Sequence, residues 1–359
     1  MPINWSKRII TWSLVGIIIQ VPVYYILNRQ VQQVMNPPSV SQQIPTQTQT
    51  NQYTLDAPNI KNPLVSFDDH FMAFRSGHEL SIYDLTKQSV IWKLDQTKTA
   101  LAYQWLPDRN ALLIFESGIG ANPALQGRSG VGIHSLEVSG NQVEAIDRFA
   151  YALPLSFQKA QISNISLSPA TNLLYFSTQG QDQSNLYEVD VMKNLRRLNK
   201  PGESVEYLAV SPEKGTVYYN LKENYNGQTL AESGPTRVQV ASNPKDKVLG
   251  LWNEKLYLGT VDQGYLTKVW TLSDNQPSPK RPDFTLFWEG KVPWNQSSIA
   301  SNMAMYGLLV RTEKTVYQVS PQGSKVIGKG ENSFFSPSGK YYYAFSTDSS
   351  GTSLKRVVL

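Results

Sequence analysis

Histidine, acidic and cysteine residues show where this sequence could carry out chemistry. None of the 359 residues is a cysteine, which excludes disulfides, thiol nucleophiles and cysteine-ligated zinc or iron–sulfur sites. The three histidines are His70, His78 and His134, and His70 directly follows two aspartates. A hydrolytic metal site needs several His, Asp or Glu side chains that converge on one point. His70 and His78 fall at loop positions, where we expect solvated side chains, and the apolar alternation of 131–136 predicts that His134 is a half-exposed strand residue.

Motifs and charge exclude further classes of function. No calcium loop of the D-x-D-x-D-G type and no phosphate-binding glycine loop occurs in the sequence. The chain has 33 Lys+Arg against 28 Asp+Glu, a formal net charge of +5, and its basic residues form nothing longer than pairs such as Arg196-Arg197. Nucleic-acid binding requires a denser basic patch. We therefore expect no nucleic-acid partner, and we assign no catalytic residue, no metal ligand and no cofactor.

Three loop-like segments are the candidates for binding a partner. Segment 116–130 lies between two expected strands, where a turn of about two to five residues would suffice. Segments 222–227 and 273–282 are shorter excursions of the same kind. Insertions on a rigid scaffold often carry binding residues, and the alternative is a tolerated flexible loop. Because Arg and Tyr are enriched at interaction hot spots, the candidate contacts to a partner protein or glycan are Asn122, Arg128, Tyr225 and Arg281.

The N-terminal segment predicts a transmembrane helix. Ile9–Leu27 contains no charged residue and would span roughly 28 Å as a helix, close to the thickness of a bilayer core. Lys7 and Arg8 precede it, so the positive-inside rule predicts a cytoplasmic N-terminus. The alternative is a cleaved signal peptide, but no small-residue cleavage pattern follows Leu27. The residues expected to anchor the chain in the membrane are Trp12, Ile18, Tyr24 and Tyr25.

Residues 28–58 predict a flexible linker. They are rich in Pro, Gln and Thr and carry almost no charge. Such a composition buries too little apolar area to offset the conformational entropy of the chain. We expect a solvated tether between the membrane and the following domain.

The chain beyond residue 60 predicts an all-β domain built from repeats. Short β-branched and aromatic runs alternate with turn residues, and in 165–198 four expected strands follow one another. Seven such units recur at spacings of roughly 35 to 65 residues, which is typical of propeller blades with four antiparallel strands. We leave six or eight blades open, because 270–335 is hard to divide. The units begin near Leu64, Ala102, Ile165, Tyr207, Leu249, Ser298 and Phe334.

Three of these units share a Ser-Pro turn followed by an aromatic strand: Ser168-Pro169, Ser211-Pro212 and Ser336-Pro337-Ser338-Gly339-Lys340-Tyr341. The turns resemble the S-P-D-G-[KR] turn of TolB-like and WD-repeat-like propellers and of the propeller domain of prolyl-oligopeptidase relatives, although Ala170, Glu213 and Ser338 replace the Asp. The resemblance implies a propeller over 60–359. The peptidase relatives also carry a hydrolase domain with a Gly-x-Ser-x-Gly motif. The chain ends at its last unit, and 127–130 lacks that spacing, so we expect no prolyl-peptidase activity.

Two further expectations concern packing. The last unit shows only three strands, and Gln52–Leu55 is a strand candidate that could close it and remove an exposed sheet edge. Large aromatic residues in blades usually pack between adjacent sheets. We therefore expect four tryptophans to belong to the core: Trp105, Trp252, Trp270 and Trp288.

These observations combine into one prediction for the whole chain. Residues 1–8 are cytoplasmic, 9–27 span the cell membrane, 28–58 form the tether, and 59–359 form an extracytoplasmic, all-β propeller of about seven four-stranded antiparallel blades. The expected function is a protein-interaction scaffold or sensor in an envelope complex. The alternatives are an extracytoplasmic propeller enzyme of the lactonase or lyase type and a carbohydrate-binding module. Several His, Asp or Glu side chains in the central channel would indicate the enzyme, whereas an apolar or Asn/Ser-lined channel would indicate the scaffold.

Overall fold

A computed structural model gives the fold of the chain. The residues that it describes are 20, 50–55, 60–117, 130–140, 142–152, 161–180, 183–252, 255–273, 284–294, 300–304, 307–312, 315–329, 333–348 and 351–358. The chain divides into two compact units, Met1–Thr48 and Gln49–Leu359.

The predicted transmembrane segment lies almost entirely outside the described residues. Within 9–27 the structure describes Gln20 alone, which is helical and exposed. Among the residues that are described, no helix is both long enough and apolar enough to cross a bilayer. The predicted anchor residues that fall outside the described part are Trp12, Ile18, Tyr24 and Tyr25.

The repeated runs of β-branched and aromatic residues form strands, and turn residues separate them. The first strands are β1 (Thr50–Leu55), β2 (Ile60–Val65), β3 (Phe71–Ser76), β4 (Glu79–Asp84), β5 (Ser89–Lys93), β6 (Thr99–Trp105), β7 (Ala111–Ser117), β8 (Gly130–Ser139) and β9 (Gln142–Ala152). The middle strands are β10 (Gln161–Ser168), β11 (Leu173–Gln179), β12 (Ser184–Val189), β13 (Leu195–Arg197), β14 (Val205–Val210), β15 (Val217–Leu221), β16 (Thr229–Ser233), β17 (Thr236–Ala241), β18 (Asp246–Trp252) and β19 (Lys255–Asp262). The last strands are β20 (Tyr265–Ser273), β21 (Thr285–Pro293), β22 (Ala300–Ala304), β23 (Gly307–Arg311), β24 (Thr315–Ser320), β25 (Gly323–Lys329), β26 (Ser333–Phe335), β27 (Tyr341–Asp348) and β28 (Gly351–Val358).

These strands form seven antiparallel sheets of four, the blades of a propeller. Blades one to six are β2–β5, β6–β9, β10–β13, β14–β17, β18–β21 and β22–β25, each in sequence order from the inner strand outward. Blade seven has the order β26-β27-β28-β1. The prediction of about seven blades with four antiparallel strands is therefore confirmed. The stretch 270–335, which the sequence did not divide, contains the end of blade five, all of blade six and the first strand of blade seven.

Blade seven is closed by the strand that precedes blade one. β1 pairs with β28 in antiparallel register from Thr50 opposite Val357 to Leu55 opposite Thr352. Tyr53 and Leu55 are buried in the core between blades seven and one, whereas Asn51, Gln52 and Thr54 are exposed. β1 therefore covers the edge of β28, whose backbone groups would otherwise be unpaired and open to another chain.

The two faces of the propeller are distinguished by the inner strands, which all begin on one face and end on the other. We define the entry face as the side where inner strands begin and the exit face as the side where they end. On the entry face, Asn164 in β10 donates to the carbonyl of Glu206 in β14. On the exit face, Ser168 Oγ donates to the Pro212 carbonyl at the end of the next inner strand. Neighbouring inner strands therefore run in the same direction.

The turns between first and second strands join neighbouring blades on the exit face. Ser338 Oγ donates to Asp69 Oδ2 at 2.6 Å, which links blades seven and one. Asn110 Nδ2 donates to Asp68 Oδ2 at 2.6 Å, which links blades two and one. Burial acts to raise the pKa of Asp68, but hydrogen bonds from His70, Asn110 and Ser66 outweigh it and hold the pKa below its usual value. The ionised carboxylate is thus the form that stabilises this junction, and its contribution is lost only as the pH falls below the ordinary carboxyl range.

The apolar core lies between adjacent blades. One cluster joins blades two and three, where Phe115 meets Phe176 at a centroid distance of 5.1 Å. The four tryptophans expected in the core all lie on strands, but their burial differs. Trp105 and Trp288 are buried, whereas Trp252 and Trp270 are partly exposed. The expectation that these tryptophans are core residues is thus correct for Trp105 and Trp288 and only partly correct for Trp252 and Trp270.

Candidate functional site

A cavity opens on the entry face between the inner strands of blades three, four and five. Its volume is about 830 Å³, within the range of small-molecule sites. We call it the entry pocket. It is lined by Ser163, Asn164, Ser177, Gln179, Ser184, Val205, Glu206, Tyr207, Leu208, Lys222, Val248, Leu249 and Trp294.

Irregularities in three neighbouring inner strands place residues in this pocket. In β10, Asn164 is inserted between two residues that pair with consecutive residues of β11, and its φ is 48°. The pairing of β14 skips Glu206 and Tyr207, and that of β18 skips Leu249. All four of these residues line the entry pocket. A bulge redirects side chains and is common next to functional sites, so the local strand geometry builds the pocket wall.

The wall contributed by blade three is a network of hydroxyl and amide groups. Asn164 Nδ2 donates to Ser177 Oγ at 3.1 Å, and the hydroxyls of Ser163 and Ser177 lie 3.0 Å apart. Ser177 Oγ also donates to the Ser163 carbonyl at 2.9 Å. These groups hold one another in place, and an ordered set of polar groups can recognise a ligand without first losing much side-chain entropy.

A buried lysine fixes the acidic group of the pocket. Lys247 in β18 has a side chain that is only 2% exposed, and its Nζ donates to Glu206 Oε2 at 3.1 Å. The same Nζ lies 3.7 Å from Glu223 Oε1, in a short 3-10 helix that spans Glu223–Tyr225. Lys247 therefore connects the pocket wall to the loop between the second and third strands of blade four.

Two aromatic rings form the side of the pocket near the end of blade five. The rings of Tyr207 and Trp294 meet edge to face with centroids 6.3 Å apart. Burial, and then the charge of Glu206, raise the pKa of Tyr207, while the neighbouring Trp294 indole acts in the opposite direction. Tyr207 is therefore a neutral hydroxyl in the physiological pH range.

The entry pocket combines uncharged hydrogen-bonding side chains with two charged ones. Its described polar groups are hydroxyls and amides, with Glu206 as the acid and Lys222 as the base among the lining residues. Within the described part of the chain, no three His, Asp or Glu residues lie close enough to hold a metal ion together.

The predicted partner contacts are described only in part. Asn122 and Arg128 fall in 118–129, and Arg281 falls in 274–283, both outside the described residues. Tyr225 ends the short 3-10 helix, and its side chain is likewise outside the described part. Their contact with a partner stays a prediction.

The strand ends that flank these segments lie on two different faces. β7 and β8 flank 118–129 at the entry face, because Ser117 pairs with Thr99 at the start of an inner strand. β15 likewise ends at the entry face, where Leu221 pairs with Val205. Ser273 instead pairs with Lys255, which pairs with the end of β18 at the exit face. Segment 274–283, which contains Arg281, therefore starts on the exit face, whereas 118–129 and the loop after β15 start on the entry face.

The predicted exposure is correct for two of the three histidines and wrong for the third. His70 and His78 are exposed, as predicted, and His70 Nδ1 lies 2.6 Å from Asp68 Oδ2. The prediction of a half-exposed His134 is wrong, because the residue is 6% exposed. Its Nε2 lies 3.9 Å from the buried Glu116. β8 is the third strand of its blade, and neighbouring blades cover both faces of such a strand, so apolar alternation there does not indicate exposure.

Sequence reasoning missed the pocket residues Asn164 and Glu206 and the buried Lys247. One signal was available for Asn164. Apolar residues at Ile162 and Ile165 are three positions apart, whereas a regular strand alternates every two, and this spacing indicates a bulge. For Lys247 no comparable signal exists, because its burial depends on residues from two other elements.

A second, smaller cavity of about 420 Å³ lies on the side of blade five that faces blade four. Trp270 lines it, and the indole Nε1 donates to Thr260 Oγ1 at 3.0 Å. Burial raises the pKa of Asp246 in its wall, although hydrogen bonds from Thr260 and Asn243 favour the ionised form. The prediction that Trp270 is core is thus only partly met.

Comparison with known proteins identifies the fold. No protein-family model and no curated protein sequence matches the chain. A chain in the crystal structure of the mitotic checkpoint complex is similar, with a TM-score of 0.53 and 12% identity over 85% of this chain and 93% of that chain. Virginiamycin B lyase from Staphylococcus aureus is also similar, with a TM-score of 0.53 and 11% identity over 87% of this chain and all of that chain. At these identities the likeness is one of fold, and the folded domain is a seven-bladed β-propeller.

Proposed function

We propose that this protein is a membrane-anchored, extracytoplasmic propeller that binds a partner protein through its entry face, as a scaffold or sensor in an envelope complex. The Ser-Pro turns support placing it with the TolB-like propellers, whose turns they resemble. The expected single-pass arrangement leaves the N-terminus in the cytoplasm and the propeller outside it.

One observation carries the binding proposal. The entry pocket, the ends of the 118–129 insertion and the loop after β15 all lie on the same face. Loops presented by a rigid scaffold are where binding residues concentrate. A polar pocket on the same face gives a partner protein a concave surface to contact in addition to the loops.

A loop replacement tests this proposal. In full-length protein solubilised from membranes, we expect replacement of 118–129 by a short Gly-Ser linker to weaken crosslinked partner capture by about tenfold or more, which corresponds to about 1.4 kcal/mol. The matched control replaces 274–283, whose flanking strands end on the exit face, with the same linker. Equal capture by the two variants would contradict binding through the entry face.

Fractionation tests the membrane anchor. We expect full-length protein to remain with membranes after an alkaline wash, and a variant lacking 9–27 to be released, because the apolar segment alone has the length to cross the bilayer core. Protease added to intact cells should cleave within 28–49. A mature N-terminus located after residue 28 would instead identify a cleaved leader.

A further inference from the structure

We propose that the entry pocket is a binding site for an uncharged, hydroxyl-rich ligand of the carbohydrate class. The inference rests on the proposed function, because it assigns a ligand to the same face. It combines the charge balance of the pocket, its hydrogen-bonding groups and the geometry of its strands.

The charge balance favours a neutral ligand. Glu206 is the acid of the described lining, and the ammonium group of Lys247 compensates it at 3.1 Å from behind the wall. Lys222 contributes one positive group to the lining. Glu223 Oε1 lies 3.7 Å from Lys247 Nζ, so the two acids and the two lysines at the pocket sum to zero charge and neither sign of charge finds a site dedicated to it.

The hydrogen-bonding groups suit ligand hydroxyls. The Ser184 hydroxyl and the Gln179 amide can each donate to a ligand and accept from it. The Ser177 hydroxyl donates to the Ser163 carbonyl, so Ser163 Oγ is the donor between the two hydroxyls and offers a ligand its lone pairs. Both side-chain bonds described for Asn164 use its Nδ2, so Oδ1 is the atom that it offers as an acceptor. A ligand hydroxyl can also donate and accept, so it can form hydrogen bonds both with the donors and with the acceptors of the pocket.

The remaining lining suits the apolar faces of sugar rings. Tyr207 and Trp294 supply aromatic surface, and the aliphatic residues of the pocket are Val205, Leu208, Val248 and Leu249. Sugar rings carry C–H groups on their faces and hydroxyls at their edges. A pocket with an apolar wall and a hydroxyl and amide wall therefore offers a surface to each.

The strand geometry disfavours an extended peptide. Peptides that add to a sheet require a regular edge of backbone donors and acceptors. The inner strands that bound the pocket are interrupted at Asn164, at Glu206-Tyr207 and at Leu249. Recognition in this pocket therefore falls to side chains, as sugar binding requires.

The test uses full-length protein in a polyoxyethylene detergent, because detergents with sugar headgroups would compete. The probes are maltotriose and triacetylchitotriose, which are uncharged, with trigalacturonate as a charged trisaccharide and capped trialanine as a peptide. Saturation-transfer NMR and calorimetry measure binding. We expect at least one uncharged trisaccharide to bind with a dissociation constant of about 1 mM or lower, and more tightly than the charged one.

Two asparagine variants provide a matched pair. Asn164→Gly removes the amide from the pocket while glycine tolerates its φ of 48°. Asn172→Gly makes the same change at a φ of 52° in the same blade, but on the exit face. We expect Asn164→Gly to weaken the trisaccharide by about tenfold or more and Asn172→Gly to leave it unchanged.

Several results would overturn the proposal. These are no binding of either uncharged trisaccharide at about 10 mM, equal binding by the two variants, tighter binding of trigalacturonate, or Asn164-dependent binding of trialanine in place of sugar. The wild-type protein separates the two proposals. If it captures a partner protein but binds neither uncharged trisaccharide, the interaction module stands and the carbohydrate site is wrong.

Discussion

Substitution of Leu55 by alanine should lower the free energy of unfolding by about 2–5 kcal/mol. The side chain is 1% exposed and packs in the cluster that joins blades seven and one. Its strand, β1, is held to the rest of the blade by pairing with β28 alone. Loss of this packing loosens the closure of the ring and exposes the edge of β28, which is a template for aggregation.

Chemical unfolding followed by tryptophan fluorescence measures this effect. The control is Gln52→Ala, in the same strand and opposite Lys355, where the side chain is exposed. Its cost should stay within about 0.5 kcal/mol. If both variants lost the same stability, β1 would contribute through its backbone pairing and not through its buried face.

Glu206→Gln should cost about 3 kcal/mol of stability, because it leaves the buried ammonium of Lys247 with only the more distant and exposed Glu223 as a counter-charge. Lys247→Met should lower the free energy of unfolding by less than Glu206→Gln does. It leaves Glu206 without its partner, but that side chain is 19% exposed and water can solvate it. The double variant should recover most of the loss, since it removes both charges.

A double-mutant cycle of unfolding free energies measures the coupling between the two side chains. The control is the exposed pair of Lys245 and Asp262, whose Nζ–Oδ1 distance is 2.8 Å. Asp262→Asn should cost no more than about 1 kcal/mol, because solvent screens an exposed pair. A coupling between Lys247 and Glu206 as small as that of the control would show that water reaches the buried pair.

Repeat spacing was enough to predict the fold. The seven expected starts all fall in or within a few residues of the inner strands, even though the Ser-Pro turn occurs in only three units. Each blade is built from local antiparallel hairpins, so its strands follow from short-range patterns. In the first unit, Ser66 and Asp68 match the Ser-x-Asp pattern of the turn, and Ser66 Oγ donates to Asp68 Oδ1 at 2.9 Å.

The candidate site could be predicted only in part. Sequence reasoning identified the insertion at 116–130 but could not show that its strand ends share a face with the loop after β15. The burial of His134 and Lys247 was also inaccessible to it. Lys247 is charged and lies in an inner strand, where its residue type alone predicts exposure. The approach of Glu206 and Glu223 from the neighbouring blade allows its burial.

The sequence by itself determined the local order of the molecule: the strands, their antiparallel succession, the seven units and the extra strand at 52–55. These depend on side-chain alternation and turn residues within about ten positions. The tertiary structure alone decided the entry pocket, because Asn164, Glu206 and Leu249 come from three different blades and Trp294 follows the last strand of blade five. Successive members of this set are separated by about 40 residues or more in the sequence. Closing the ring brings these inner strands together, and their bulges determine which side chains meet there.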